Sequence, residues 1–388
     1  MMLVNPSERP SRRLPHWRRA LFSSLAALTL GGFAAGGAAA ETRGYVVSYF
    51  YDANWSDGKT DCPNGLNLSA IDFYRRDLAK AGHSHDEIET ALKDFPGEGG
   101  LKQPWVPLVV TRGNGKDNVY ANPTTMADPG LIEVTGKYSY GFNLDGKGAA
   151  SPNSFEEPDT HEQGVNNQLY RVMGCIRSYR GLPPPGRPSL VENLWDVLRD
   201  VIPAWLITVD APNGFDKDGP VTVTFDRSLD RITRDAGGTA AQADMTFRVD
   251  PDPRSHNVLK GEIKNGVVSV DPATSRLHMI LDPYEFPELD LTQMHMRMVT
   301  NPDRTTRTVI GGYMPWMTYY YGLADQGHIK EYAASIDVPA VYYALKRAAD
   351  ADPDAKTGEN RRISSAFLLE AVPAFIVPAG ADKTAEAR

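Results

Sequence analysis

Four loops of this chain are built from residue types that bind hard cations. "DANWSDGKTD" (52–61), "NLDGKG" (143–148), "DAPNGFDKDG" (210–219) and "DADPDAKTGEN" (350–360) each mix Asp and Asn with glycine. Calcium takes roughly six to eight oxygens, and carboxylates alternating around a tight turn can aim several at one point. The candidate ligands are Asp52, Asn54 and Asp57, then Asp210, Asp216 and Asp218, then Asp350, Asp352 and Asp354. The last three occupy the first, third and fifth positions of an EF-hand loop. Ala355 and Arg361 stand where that loop needs Gly and Glu, which excludes a regular EF-hand. Asp, Asn and Gly are also what ordinary turns are made of.

A second constellation is acidic with a histidine. "EEPDTHEQG" carries Glu156, Glu157, Asp159 and His161. Carboxylate pairs with a nearby base serve general acid–base hydrolysis when a cleft brings them together. The common nucleophile frames are missing: "GKYSYG" is not GxSxG, and there is no phosphate loop, no GxGxxG after a strand and no HExxH. "GGYMPWMTYYYG" (311–322) gathers aromatics, of which Tyr313, Trp316 and Tyr320 are candidates to stack on a flat ligand such as a sugar ring. The same residues suit a packed seam.

"LTQMHMRMVT" (291–300) resembles, over five residues, the MxM strands of small periplasmic copper-handling proteins. Thioether sulfur is a soft ligand for Cu(I). In a strand Met294, Met296 and Met298 share one face at about 6.6 Å per pair, and His295 points to the other. A copper site on Met294 and Met296 therefore needs a helper from a neighbouring strand, His278 or Trp316. Methionine is equally a core filler.

The surroundings constrain these readings. The first forty residues have the three-part pattern of a secretory signal: a basic leader with Arg12, Arg13, Arg18 and Arg19, an apolar run from Ala20 to Gly37, and Ala38-Ala39-Ala40 before Glu41. "WRRALF" also resembles a twin-arginine signal. No later stretch is apolar and long enough to span a bilayer, so no stable membrane span is expected after cleavage. The leader holds five Arg and one Glu. Taking these from 41 basic and 49 acidic residues leaves 36 and 48, a net charge of −12. Such a surface repels phosphate backbones and speaks against nucleic-acid binding. The two cysteines, Cys62 and Cys175, are expected to pair in an oxidising compartment.

The elements that must position these residues read as an α+β protein. Residues 41–185 form a mixed N-terminal region. It opens with the strand "YVVSYFY" (45–51) and continues with a helical hairpin capped at Ser69 and Ser84. "WVPLVVT" (105–111) and 131–144 read as strands, and "VNNQLYRVMGCIRSY" as a helix. "GLPPPGRP" (181–188) marks a boundary. Residues 186–312 hold a leading helix and then eight short strand-like runs at turn spacing, which predict an antiparallel β-sandwich-like domain. Residues 313–388 read as an aromatic-rich helical C-terminal segment, with "VPAVYYALKRAAD" and "RISSAFLLEAV" as helices and a frayed tail. The expected function is an exported, periplasmic or secreted, binding or accessory protein. Calcium would stabilise it, and its partner would be a small molecule, a glycan or another exported protein. The alternatives are a secreted hydrolase or a copper-handling protein.

Overall fold

The computed structural model describes residues 39–97, 103–181, 186–190, 203–238, 240–280, 288–325 and 327–381. Residues 1–38 of the signal reading, most of the helix expected from Ser189 and residues 382–388 of the tail lie outside these residues.

Strands β1 (Glu41–Asp52), β4 (Trp205–Ala211), β5 (Gly219–Arg227), β7 (Asn257–Lys264), β8 (Val267–Val270), β10 (Glu288–Thr300), β11 (Thr306–Pro315) and β13 (Asn360–Val377) pair antiparallel in that order. β13 then returns to pair β1, with Tyr45 opposite Pro373 and Asp52 opposite Phe367. The sheet thus closes into an eight-stranded barrel. β6 (Met245–Arg248) adds to β13 in parallel, β9 (Arg276–Ile280) to β10, and β12 (Ala351–Pro353) to β13. A small ribbon, β2 (Phe155–Glu156) with β3 (Gln163–Val165), stands apart. The helices are α1 (Ala70–Lys80), α2 (His85–Leu92), α3 (Trp105–Val110), α4 (Gln168–Met173), α5 (Trp316–Ala324), α6 (Gly327–Ala334) and α7 (Val338–Ala348).

Period-two alternation fills the barrel. Ile207, Val209, Val221, Val223, Phe225, Met296, Ile310 and Phe367 belong to one interior cluster that continues into α4, α5 and α7. Two bulges correct the alternation. Between Val47 and Tyr49 the register shifts, so Tyr45 and Val47 point in before it while Tyr49 and Tyr51 point out after it. Gln293, at φ 51°, makes the second. Leu289 and Leu291 face the core before it and Met294, Met296 and Met298 after it.

The α+β sandwich with a helical C-terminal segment is corrected to this mostly β, closed barrel. Each of the eight runs between 204 and 312 does carry a strand. The missing partners are β1, from the expected N-terminal region, and β13, from the expected helical tail. They form the seam between β4 and β11, so there is no pair of facing open sheets. "RISSAFLLEAV" is strand because it is buried on both faces: Ile363, Phe367 and Leu369 inside the barrel, Ala366 and Leu368 under an outer layer. Such a run has no alternation to betray it. "WVPLVVT" is the helix α3, which sets Trp105, Val106 and Val109 against Phe73, Tyr74 and Leu78 of α1. Residues 131–144 form isolated bridges, Tyr138 to Glu156 and Phe142 to Asn166, in place of a strand. The capping box at Ser84–Glu87 forms; Ser69 ends up donating its hydroxyl to Asp72.

Cys62 and Cys175 are bonded, tying the loop after β1 to the end of α4. Gly311 of β11 leaves the space that Phe142 of the outer layer fills: a Cβ there would lie 2.9 Å from the ring and 3.1 Å from the Ser365 carbonyl. Among the described residues no helix is long and apolar enough to cross a membrane.

Candidate functional site

Among the described residues, large side chains at or near zero exposure fill the barrel interior. Two hollows that they line lie on the outside. The larger of these two, about 660 Å³, lies on the outward faces of β1, β4 and β5. Alternation again decides its floor. With Ile207, Val209, Val223 and Phe225 inward, the residues between them must point out: Thr208 and Asp210 from β4, Thr224 and Asp226 from β5. The register puts Gly44, Thr208 and Thr224 in one row across three strands, with Thr42 beside Asp210. Val249, Asp250, Pro251, Pro253 and His256 make one wall; Phe375, Ile376 and Pro378 make the other. The far wall can come close only because residue 44 is glycine: a Cβ there would meet the Ala374 carbonyl at 2.6 Å.

Asp226 is the most buried polar residue of this floor, 5 % exposed. Its Oδ1 lies 2.6 Å from His256 Nδ1. Burial pushes the Asp226 carboxyl up, and the neighbouring imidazole pulls it partway back. A carboxylate on Nδ1 fixes the ring and leaves Nε2 to other partners. Asp210 accepts the Thr42 hydroxyl at 2.5 Å. Asp250 is matched by Arg227 at 3.2 Å. The second hollow, about 510 Å³, is lined by Tyr49, Tyr51, Arg187, Arg307 and Glu370. There Arg187 pairs Glu370 at 2.6 Å and stacks on Tyr49 at 3.7 Å, so its charges are already matched.

None of the acidic residues expected for a hydrolase lines either hollow. Glu157 is fully buried; it pairs Arg297 at 2.5 Å and accepts the amides of Asp159 and Thr160. Asp159 meets Arg307 at 3.2 Å. The Lys137 ammonium at 2.6 Å holds the Glu156 carboxyl down at about 2, with His161 adding a contact at 3.1 Å. These contacts tether the 156–163 loop to the barrel wall.

The oxygen-rich loops mostly bond to themselves. Asp57 accepts the amides of Lys59 and Thr60, and Asp354 those of Lys356 and Thr357. Asp218 accepts the Asn265 amide, and Asp352 pairs Arg361 at 2.9 Å. Asp216 stays at the surface. Asn54 donates to the Tyr179 carbonyl. Asp350 takes both the amide and the hydroxyl of Ser364 at 2.7 Å. Its carboxyl is raised by burial and further by the charge of Asp145, so two of the four loops do approach each other. Asp52 leaves its loop for the capped barrel end. There it is buried and accepts the Tyr319 hydroxyl at 2.7 Å, and burial pushes its carboxyl up to about 7. Among the described residues no group of three or more His, Cys, Asp or Glu is arranged to hold a metal ion.

Met294 and Met296 sit in the barrel core. His278 faces outward: its neighbours Leu277 and Met279 are in the core, and its ring nitrogens lie near the Arg254 carbonyl and Glu288. Trp316 donates to the Asn360 carbonyl and packs on Tyr342; Tyr320 donates to the Tyr120 carbonyl. Both are core residues of the cap, and Tyr313 packs partly buried against the outer layer.

Asp226 and His256 escaped the sequence reading because thirty residues separate them and only the β5–β7 pairing brings them together. The one usable signal was the outward Thr and Asp positions of "LITVDA" and "VTVTFD". Comparison with models of protein families, with curated proteins and with solved structures gave no match.

Proposed function

We propose that this is an exported binding protein whose ligand seats on the outer wall of the barrel, in the groove over β1, β4 and β5. The observation that carries this reading is the contrast between a barrel lumen filled with side chains and an open groove of about 660 Å³. That groove combines a polar floor with one apolar wall, a composition that suits a small-molecule site. The Cys62–Cys175 bridge supports an oxidising compartment.

The test is a thermal-shift screen of the purified protein against defined sets of amines, sugars and carboxylic acids. It is repeated on Thr208→Trp, which fills the middle of the floor. A ligand at 100 times its Kd stabilises the native state by about 2.7 kcal/mol, a readable rise in Tm. Compounds that shift the wild type are expected to leave Thr208→Trp unmoved. Equal shifts in both proteins, or no shift with any set, would reject the groove.

A further inference from the structure

The floor of the groove has two acidic ends. Asp210 is level with Thr222 on the neighbouring strand, and Asp226 is level with Leu206. They are therefore four residues apart along the sheet, about 14 Å between Cα positions, with the row of Gly44, Thr208 and Thr224 midway. At one end the described partner of Asp210 is the uncharged Thr42 hydroxyl. At the other, Asp226 Oδ1 faces His256 Nδ1 at 2.6 Å, and no described hydrogen bond reaches Oδ2, although this side chain is buried and lines the hollow.

Other carboxylates on the outer wall are matched to arginine: Asp230 with Arg248, Asp290 with Arg276 and Arg362, Glu370 with Arg187. The described lining of this groove contains no lysine or arginine. One of its walls is apolar, with Phe375 62 % exposed beside Ile376 and Pro378. A carboxylate at each end without a described lysine or arginine partner, and an apolar face along one side, complement a chain with a positive charge at each end and methylenes between. An ammonium over the Phe375 ring would gain further by cation–π attraction.

We propose that the groove binds a linear aliphatic diamine or polyamine, one terminal ammonium at Asp210, the other at Asp226, and the alkyl chain along Phe375 and Ile376. This rests on the groove being the binding site.

Isothermal titration of the purified protein with 1,3-diaminopropane, spermidine, spermine, octylamine and 1,8-octanediol tests it. Spermidine and spermine are expected to bind at least tenfold more tightly than octylamine, and 1,3-diaminopropane, too short to reach both ends, more weakly than either. Asp210→Asn is expected to weaken spermidine about tenfold and to bring it down to the level of octylamine. Asp210 lies on the outer face with a hydroxyl partner, so that variant keeps its fold, which an unchanged melt confirms. Asp226→Asn is expected to do the same at the other end.

Equal binding of octylamine and spermidine, no effect of Asp210→Asn, or no amine binding would overturn the proposal. So would binding of a peptide with two lysines in place of the free polyamines. If amines fail while a neutral or anionic compound binds in a Thr208→Trp-sensitive way, the polyamine inference falls and the groove stands. If nothing is sensitive to Thr208→Trp, both fall.

Discussion

Replacing Asp52 by Asn should stabilise this protein at high pH and do little at low pH. In the folded protein Asp52 is buried at the capped end of the barrel. Its hydrogen-bond partner is the Tyr319 hydroxyl, and no cation is among the groups acting on it. Burial disfavours the charged form, so the carboxyl titrates at about 7 against an ordinary value of 3.8. A folded-state pKa above the unfolded one means that the native state holds its proton more tightly. The associated stability is therefore present below the unfolded value and lost as pH rises toward the folded one. Each tenfold change in proton affinity is about 1.4 kcal/mol, so the full effect is ~4 kcal/mol, of which ~2.5 kcal/mol falls between pH 5 and pH 8. Asparagine keeps an acceptor for Tyr319 and cannot ionise. Urea unfolding of both proteins at the two pH values should show the stability of Asp52→Asn relative to wild type rising by ~2.5 kcal/mol from pH 5 to pH 8. A difference independent of pH would refute the reasoning. A fall at pH 8, with wild type losing stability on addition of EDTA, would instead make Asp52 a cation ligand.

The Cys62–Cys175 bridge spans 113 residues, and its double serine variant should lose about 4–5 kcal/mol in denaturant unfolding under non-reducing conditions. Arg112 is fully buried against Glu331 at 2.6 Å, Asp77 at 3.4 Å and Asp337 at 3.7 Å, linking α1 to the α6–α7 cap. Arg112→Met strands those carboxylates and should destabilise by ~3–5 kcal/mol, less at pH 5 than at pH 8, as read from the urea midpoint. His328 is buried beside Trp105 and Tyr120, with Nε2 unbonded, and burial lowers its pKa. Its neutral form is the native one, so that part of the stability is present above pH ~6.5 and is lost on acidification below it. His328→Phe should narrow the difference in Tm between pH 7.5 and pH 5.5. Gly311→Val pushes into Phe142 and the Ser365 carbonyl and should destabilise by ~1–3 kcal/mol while leaving spermidine affinity unchanged.

The strands of the middle region were legible because each is half-exposed: "LITVD" and "VTVTFD" alternate, and alternation survives in β4, β5 and β7. What the chain did not display is closure. β13 is covered on both faces and loses its alternation, so it mimics a helix, while α3 is six residues long, too short for a helical period to register. The methionine face of β10 was readable from spacing alone; the bulge at Gln293 that keeps both halves of that strand facing inward was not. Of the acidic and histidine residues that stand out in the sequence, Glu157 and Asp159 pair Arg297 and Arg307 of the barrel, contacts that spacing alone did not show. Asp226 and His256, unremarkable in sequence, meet because β5 and β7 are neighbours.

The closing strand also sets a timetable. β1 ends at residue 52, yet its two neighbours are β4, starting at residue 205, and β13, starting at residue 360. At a synthesis rate of ~5–20 residues per second, β1 waits ~8–30 s for its first partner and ~15–60 s for its second. Throughout that interval the growing chain carries unsatisfied strand edges and a half-built apolar interior. The ring of strands can therefore close only after β13, which ends at Val377, has been made.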